Sequence, residues 1–400
     1  MTTSPDASTT ESAKPERRYD IDWLRVLAVL LLFPFHTARI FDTFDPWYVK
    51  NDTLSEALTY FIAFVHPFHM PLLFLLAGAS TWFALSYRSA GLYAKERVIR
   101  LLIPFIFGLL VIVPPQSYLG LVGHSDYSGS FLEWYPNFFS INSSDMDGYF
   151  LGGFTPAHLW FIAFLFIFSL LALPLFLYLR RRDLGKRLTG WLAAFFSLPG
   201  AILLLAIPLW IAYEVIDFYP SPLYFISYFI LGYLLVSDTR FEKAIDRHKA
   251  VALVIGPILY LLVAYFQVTG WPEGMLSRAG SVINAYTVGF APWFFVIAIL
   301  GYARQFLASS NKFLRYTGEA SYPYYILHQT IIVIIGFYVV QWQVGLAVKY
   351  VVILAAAIAV TALLYELLVK RFNLFRFLFG MKVLRKERSP APSPKPGLPT

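Results

Sequence analysis

Long apolar runs separated by short polar segments fill the chain from about residue 19 to residue 380. A run of about 20 apolar residues is the length at which an α-helix crosses the hydrocarbon core of a bilayer. The pattern predicts ten spans, with approximate limits 22–44, 57–85, 98–120, 157–179, 190–212, 219–237, 250–268, 282–303, 319–340 and 346–369. The sequence therefore predicts an all-α, polytopic membrane protein with about ten transmembrane helices.

Polar segments flank the predicted spans and connect them. Residues 1–18 and 381–400 are rich in Ser, Thr, Pro and charged residues, a composition that predicts disordered tails on either side of a membrane domain over residues 19–380. The longest loop, 121–156, is predicted to lie on the extracytoplasmic side, and it carries carboxylates and aromatic rings but no Lys or Arg. Such rings could hold a carbohydrate, or they could lie at the membrane interface, where Trp and Tyr also collect.

Composition and charge agree with a membrane protein. Hydrophobic residues make up 58% of the chain and charged residues only 14%, and the formal net charge is +8. With the N-terminus in the cytoplasm, 27 of the 32 Lys and Arg fall in cytoplasmic segments, so both termini are predicted to be cytoplasmic. This distribution explains the positive charge without a nucleic-acid partner. The absence of cysteine excludes disulfides and cysteine nucleophiles.

The first span contains an unusual line of polar side chains. Its sequence RVLAVLLLFPFHTARIF places Arg25 and His36 eleven positions apart. On a helix they fall within about 20° of each other and about 16 Å apart along the axis, and Arg39 continues the same face. Ionisable groups are costly inside a membrane, so this face is expected to meet protein or water.

Four segments in order resemble the acyltransferase-3 family of integral membrane acyltransferases. They are YDIDWLRVLAVLLLFPFHTARIF at 19–41, FHMPLLFLLAGAS at 68–80, HLWFIAFL at 158–165 and GEASYPYYILHQ at 318–329. The Arg25 and His36 pair is similar to the family's first-span hallmark. Within the family, the PFH at 34–36 resembles a glucan-succinylating branch.

The resemblance implies a bacterial cytoplasmic-membrane enzyme that moves an acyl group from acetyl-CoA or succinyl-CoA to a hydroxyl of a glycan or similar acceptor. His36 would be the general base, and Arg25, about 16 Å away along the helix axis, would be a catalytic and donor-binding residue. Arg97 and Arg100 resemble the family's paired arginine motif, which would hold the acyl-CoA phosphates, although arginines at such a boundary also serve as topology anchors.

Other polar and aromatic side chains are candidates for substrate binding: Arg39, His69, His158, Trp160, Glu319 and His328. His66 and His69 have a spacing that a metal could use, but no third ligand is evident and no metal is expected. A transporter or flippase with a conduit lined by the first span stays open as the alternative, and the oligomeric state cannot be read from the sequence.

Overall fold

The structure is a computed structural model. It describes residues 17–44, 46–140, 152–216, 221–274, 279–280, 282–283 and 286–384. Most of both predicted tails lies outside this range, as do residues 141–151 of the predicted outer loop.

The described residues are helical and contain no strand. The α-helices are α1 Tyr19–Ala38, α2 Glu56–Tyr87, α3 Ala90–His124, α4 Phe131–Trp134, α5 Trp160–Leu171, α6 Leu173–Arg181, α7 Asp183–Phe196, α8 Ala206–Glu214, α9 Pro222–Leu235, α10 Thr239–Thr269, α11 Ala291–Phe306, α12 Lys312–Val339, α13 Leu346–Leu364 and α14 Asn373–Leu378. Short 3₁₀ helices cover Tyr135–Phe139, Ala157–Leu159 and Ala201–Leu205. Wide π-helical turns interrupt α3 at Val98–Leu102 and Gly108–Ile112, precede α11 at Tyr286–Phe290 and follow α13 at Tyr365–Val369.

Several helices begin at side chains suited to a helix start. Ser55 accepts a hydrogen bond from the backbone of Leu58 at the start of α2. Asn311 accepts one from Leu314 at 2.8 Å at the start of α12. These oxygens satisfy amide groups that the first helical turn leaves without a partner, and so fix where each helix begins.

Among the described residues, seven helices are long and apolar enough to span a membrane, and the count reaches nine if each of two bent pairs is one span. The prediction of a helical polytopic membrane protein is confirmed. The number of ten spans and the cytoplasmic position of the termini remain predictions.

The predicted fifth and sixth spans differ from single helices of full membrane-spanning length. In the region of the fifth, α7 and the segment Ala201–Glu214 meet at 116°. The break falls at Pro199 and Gly200, whose φ is 80°, because proline ends a helix and glycine tolerates left-handed backbone. The sixth is α9, whose 14 residues reach about 21 Å, less than the hydrocarbon thickness.

Glycines bring α2 and α9 into backbone contact. A Cβ on Gly78 would lie 1.8 Å from the carbonyl oxygen of Phe229, and one on Gly232 would lie 1.8 Å from that of Leu75. Such close crossings need small residues. On the other side of α2, α1 packs against α2, α11, α12 and α13. The helix that carries His36 is therefore surrounded by protein along much of its length, as its polar face requires.

Candidate active site

Three histidines from distant parts of the chain meet inside the helical domain. His36 comes from α1, His158 from the 3₁₀ turn Ala157–Leu159, and His328 from the middle of α12. The ring centroids of His36 and His328 are 5.1 Å apart, and those of His328 and His158 are also 5.1 Å apart. We call these three residues the histidine cluster. Each was a candidate from the sequence, but their proximity was not predicted.

The backbone of α12 holds two of these rings. His158 Nε2 donates a hydrogen bond to the carbonyl oxygen of Ile326 at 2.9 Å, and His328 Nδ1 donates to that of Tyr325 at 2.6 Å. The Tyr325 hydroxyl donates back to the carbonyl oxygen of His158. These bonds lock the 3₁₀ turn onto α12.

Backbone strain occurs beside His158. Ala157 has a φ of 45°, in the left-handed region that a residue with a Cβ rarely adopts. Its amide donates to Thr155 Oγ1 at 2.9 Å, which helps to hold this conformation. Residues held in this region cost about 1–3 kcal/mol and cluster at functional sites. The conformation is consistent with a turn shaped to present His158.

One nitrogen of each ring in the histidine cluster is buried without a hydrogen-bond partner among the described residues. These atoms are His36 Nδ1, His158 Nδ1 and His328 Nε2. Most buried polar atoms in proteins have a partner, and leaving one without costs about 1–3 kcal/mol. Three such atoms in one cluster indicate a site for a polar ligand or a proton.

Trp47, which the sequence did not single out, covers His36. The two rings are nearly parallel, at 12°, with centroids 5.9 Å apart. The carbonyl oxygen of Trp47 accepts a hydrogen bond from His124 Nε2 at 2.6 Å. Nothing in the local pattern of residues 42–55 marks this tryptophan, because its contact depends on how the loop folds back over α1.

Asp42 anchors the same loop. Its carboxylate is fully buried and lies 2.9 Å from Arg39 and 2.8 Å from Lys50. It also accepts a hydrogen bond from the amide of Phe44 at 2.9 Å. The predicted substrate residue Arg39 therefore has a partner in the protein. The three-residue spacing of Arg39 and Asp42 was a readable signal for this pair.

Two other predicted substrate residues lie within the packing. His69 Nε2 donates to the carbonyl oxygen of Ala28 at 2.9 Å, and its ring is 6.0 Å from that of Phe35. This bond ties α2 to α1 next to the histidine cluster. The Trp160 ring packs in an aromatic group whose other members are Phe74, Phe164 and Phe225.

The candidate donor-binding arginines lie on α1 and α3. Arg25 pairs with Asp22 at 2.9 Å and keeps a side chain that is 41% exposed. The guanidinium of Arg97 lies over the Tyr93 ring, 4.6 Å from its centroid, and its Nε is buried without a partner among the described residues. Arg100 belongs to the π-helical turn Val98–Leu102, a wide turn that is frequent at functional sites.

The segment after α14 packs against that turn. A Cβ on Gly380 would lie 2.8 Å from the carbonyl oxygen of Arg100, and Gly380 has a φ of 67° that suits glycine. Glu319 lies near this segment and pairs with Arg376 of α14 at 3.1 Å. The arginine that Glu319 meets is thus on the C-terminal helix and is neither Arg97 nor Arg100.

The described part of the outer loop is packed on itself. The rings of Trp134 and Phe138 are buried, with centroids 5.8 Å apart, and Phe154 packs on Phe138. These two rings therefore support the loop and do not present an open face. Asp145, Asp147 and Tyr149, which also belong to the predicted carbohydrate surface, lie outside the described residues.

Within the ranges that the structure describes, no group of three or more His, Asp or Glu side chains is arranged to hold a metal ion.

Comparison of the sequence with known protein families identifies the class of this helical domain. Residues 18–366 match the model of the acyltransferase-3 family, described as an acyltransferase domain. The chain belongs to this family and is a membrane acyltransferase. The expectations of family and enzyme class are confirmed.

Curated relatives agree with this assignment. The chain is 24% identical to the glucans biosynthesis protein C of Salmonella paratyphi B and to that of Salmonella heidelberg. Each match covers 95% of this chain and 99% of the relative. No solved structure matches the chain.

Proposed function

We propose that this acyltransferase moves an acetyl or succinyl group from cytoplasmic acyl-CoA to a hydroxyl of an extracytoplasmic glycan. The observation that carries the proposal is the histidine cluster, which places imidazoles with unpartnered nitrogens inside the membrane domain. Acyl transfer to a hydroxyl needs a base at the point where donor and acceptor meet. An imidazole with a buried nitrogen that has no partner among the described residues suits that task.

His36 is the base in this mechanism. It takes the proton of the acceptor hydroxyl while the oxygen attacks the thioester carbonyl carbon. The carbon–sulfur bond then breaks, and the departing CoA thiolate takes the proton from His36. Direct transfer is favoured over an acyl-enzyme because the chain has no cysteine and no serine in a nucleophile-elbow motif.

The donor enters from the side of Arg97, Arg100 and Arg25 in this proposal. Guanidinium groups suit phosphate because their donors form a planar fork. Support comes from Arg97, whose buried Nε has no partner among the described residues. Arg25 lies on the helix that carries His36, so it can hold the donor on the approach to the base.

In this proposal the acceptor contacts His158 of the histidine cluster and Arg39. His158 Nδ1 is buried without a partner among the described residues, and Arg39 follows the last residue of α1, three positions beyond His36. The relatives are named for glucan biosynthesis, which supports a glucan as acceptor. With both termini in the cytoplasm, the acceptor side faces outward from a bacterial cytoplasmic membrane.

Replacing His36 with Ala tests the mechanism. We expect acyl transfer to fall by about 10²- to 10⁴-fold, the usual contribution of a general base, with acyl-CoA binding retained. Transfer is measured with purified protein, acetyl-CoA or succinyl-CoA, and a glucan oligosaccharide. The control is His248→Ala, since His248 is a buried histidine far from the cluster with both ring nitrogens bonded. Unchanged transfer by the His36 variant would overturn the mechanism.

The acyl group and the acceptor need a separate measurement. Mass spectrometry of surface glycans from cells with and without the gene gives the mass of the group that is added. A mass difference corresponding to acetyl or succinyl on a glucan supports the proposal. Identical glycans in the two strains, with the gene expressed in one, would contradict a glycan acceptor.

A further inference from the structure

His328 has a protonation pattern fixed by the backbone. Its ring is fully buried, and Nδ1 lies 2.6 Å from the carbonyl oxygen of Tyr325. A carbonyl oxygen can only accept, so Nδ1 carries the proton. A neutral imidazole has a single N–H, and Nε2 must then present a lone pair. That lone pair is buried, and no described residue donates to it.

His248 shows how the protein satisfies an equivalent ring elsewhere. Its Nδ1 donates to the carbonyl oxygen of Ala244 at 2.8 Å, which fixes the same tautomer as in His328. Its Nε2 accepts a hydrogen bond from the amide of Gly200 at 2.9 Å. The two rings therefore differ in one respect, because the lone pair of His248 receives a backbone donor and that of His328 does not. The comparison indicates that the acceptor on His328 is kept for another donor.

His36 supplies a donor of the right kind. For its Nε2 to act as a base, the proton of the neutral ring must lie on Nδ1, and this Nδ1 is also buried without a partner among the described residues. The two rings have centroids 5.1 Å apart. Two imidazoles joined by one N–H···N hydrogen bond have centroids about 5 Å apart, so the separation of these two rings allows the bond once Nδ1 of His36 points at Nε2 of His328. Catalytic hydrogen bonds are often long or misaligned before substrate binds.

We propose that His328 is the positioning residue of His36. Nε2 of His328 accepts the Nδ1–H of His36, which leaves Nε2 of His36 as the basic nitrogen. This inference rests on the proposed function, in which His36 is the base.

The proton balance of the reaction is unchanged by this contact. When His36 takes the hydroxyl proton on Nε2, the resulting imidazolium keeps its Nδ1–H bonded to His328. When the CoA thiolate takes that proton, His36 returns to the same neutral tautomer. His328 keeps its own proton on Nδ1 throughout, held by Tyr325. The gain is an orienting and polarising contact for the base, as in triads whose third member orients the histidine.

Substitutions at His328 give the kinetic test. His328→Leu removes the acceptor, and we expect kcat to fall by about 10- to 100-fold, the usual effect of removing a partner that orients a functional imidazole, with KM for acyl-CoA nearly unchanged. His328→Gln keeps a neutral acceptor oxygen near the position of Nε2, and should recover most of kcat. His248→Leu and His248→Gln are the matched controls, with kcat per folded molecule unchanged in both.

The tautomer of His36 can be measured without any substrate. In protein labelled with ¹⁵N-histidine, the two ring nitrogens of a neutral imidazole give different chemical shifts, and the His36 signals are assigned from their loss in His36→Gln. We expect the proton on Nδ1 in the wild-type protein and a shift towards Nε2 in His328→Leu. If His328→Leu does not fold, the wild-type tautomer and His328→Gln decide the question.

The outcomes separate this inference from the proposed function. A His36 proton on Nε2 in the wild-type protein would overturn the inference. So would a His328→Leu variant with wild-type kcat and an unchanged tautomer, in a protein that loses activity with His36→Ala. Full activity in His36→Ala would instead remove the proposed function itself.

Discussion

Two groups of polar side chains contact α1, and the protein satisfies them to different degrees. Near the start of the helix, Arg18 bonds to Asp20 at 2.7 Å and to Glu242 of α10. Glu242 also pairs with Arg304 of α11 at 3.0 Å. We call these four residues the ion-pair network. In the histidine cluster, further along the same helix, each ring has a buried nitrogen without a partner among the described residues.

The difference distinguishes polar side chains that stabilise the fold from polar side chains that are available to a ligand. Burying charged or polar groups costs free energy, and the ion-pair network offsets that cost with contacts inside the protein, although Arg304 Nη1 is buried without a hydrogen bond among the described residues and lies 3.5 Å from Asp246. The network links the N-terminal end of α1 to α10 and α11, and so fixes the position of that end. The histidine cluster leaves the cost of its three nitrogens uncompensated among the described residues, and a ligand or a transferred proton would supply the missing contacts.

Among the variants that extend this comparison, the largest effect on enzyme kinetics is expected at Arg97. Like the rings of the histidine cluster, Arg97 has a buried nitrogen, Nε, without a partner among the described residues. If unpartnered groups act on ligands, Arg97→Gln should raise KM for acyl-CoA by about 10- to 100-fold, because a charge-assisted contact to phosphate is lost. The unfolding midpoint in detergent should change little. Steady-state kinetics and thermal unfolding of the same preparation measure both quantities. A large loss of stability with unchanged KM would place Arg97 with the structural group.

The next effect is expected in the ion-pair network. Glu242→Gln leaves Arg18 and Arg304 without their shared carboxylate, and we expect the free energy of unfolding to fall by about 1–3 kcal/mol. This range is below that of a fully buried pair because all three side chains keep some exposure. Activity per folded molecule should stay at the wild-type level. Thermal unfolding followed by tryptophan fluorescence checks stability, and a fall in kcat at full folding would break the comparison.

A smaller effect on catalysis is expected at Trp47, whose indole lies parallel to the His36 ring. Trp47→Leu keeps an apolar cover but removes the flat surface, so we expect kcat to fall by about 3- to 10-fold, in line with an aromatic contact of about 0.5–1.5 kcal/mol. Trp191→Leu is a suitable control because Trp191 is exposed on α7. Equal effects in the two variants would show that the contact with His36 has no role.

The smallest effect is expected at Arg17. Its side chain is 66% exposed, and it pairs with Asp22 at 2.9 Å. Exposed ion pairs contribute only about 0–1 kcal/mol, so Arg17→Ala should leave the unfolding midpoint nearly unchanged, and still less affected at high salt. A loss as large as that in Glu242→Gln would mean that the ion-pair network extends to Arg17.

Much of the fold was predictable from the sequence because a membrane span is recognised from the apolar length of its own segment. Apolar length located the helices, but it predicted one continuous span over residues 190–212, whereas the structure breaks this region at Pro199 and Gly200, between α7 and the segment Ala201–Glu214. The short α9 was harder to interpret, because apolar composition does not reveal where a helix begins or ends. The side of the membrane on which each terminus lies was inferred from charge alone and remains a prediction.

The candidate site was only partly readable. The spacing of Arg25 and His36 identified the first span as unusual, and His158 and His328 lie in segments that resemble the acyltransferase-3 family. The stack of Trp47 on His36 had no local signal.

By itself, the sequence determined the membrane class, the helical composition, the family and the helix face that carries His36. The membrane class, the helical composition and the helix face follow from apolar length, charge and the 3.6-residue period, and the family follows from the resemblance of four short segments; all of these are properties of local sequence. The tertiary structure decided that His36, His158 and His328 meet, and which of their ring nitrogens have no hydrogen-bond partner among the described residues. Those facts depend on how α1, the Ala157–Leu159 turn and α12 pack together, and packing between distant segments is not encoded in the period of any one of them.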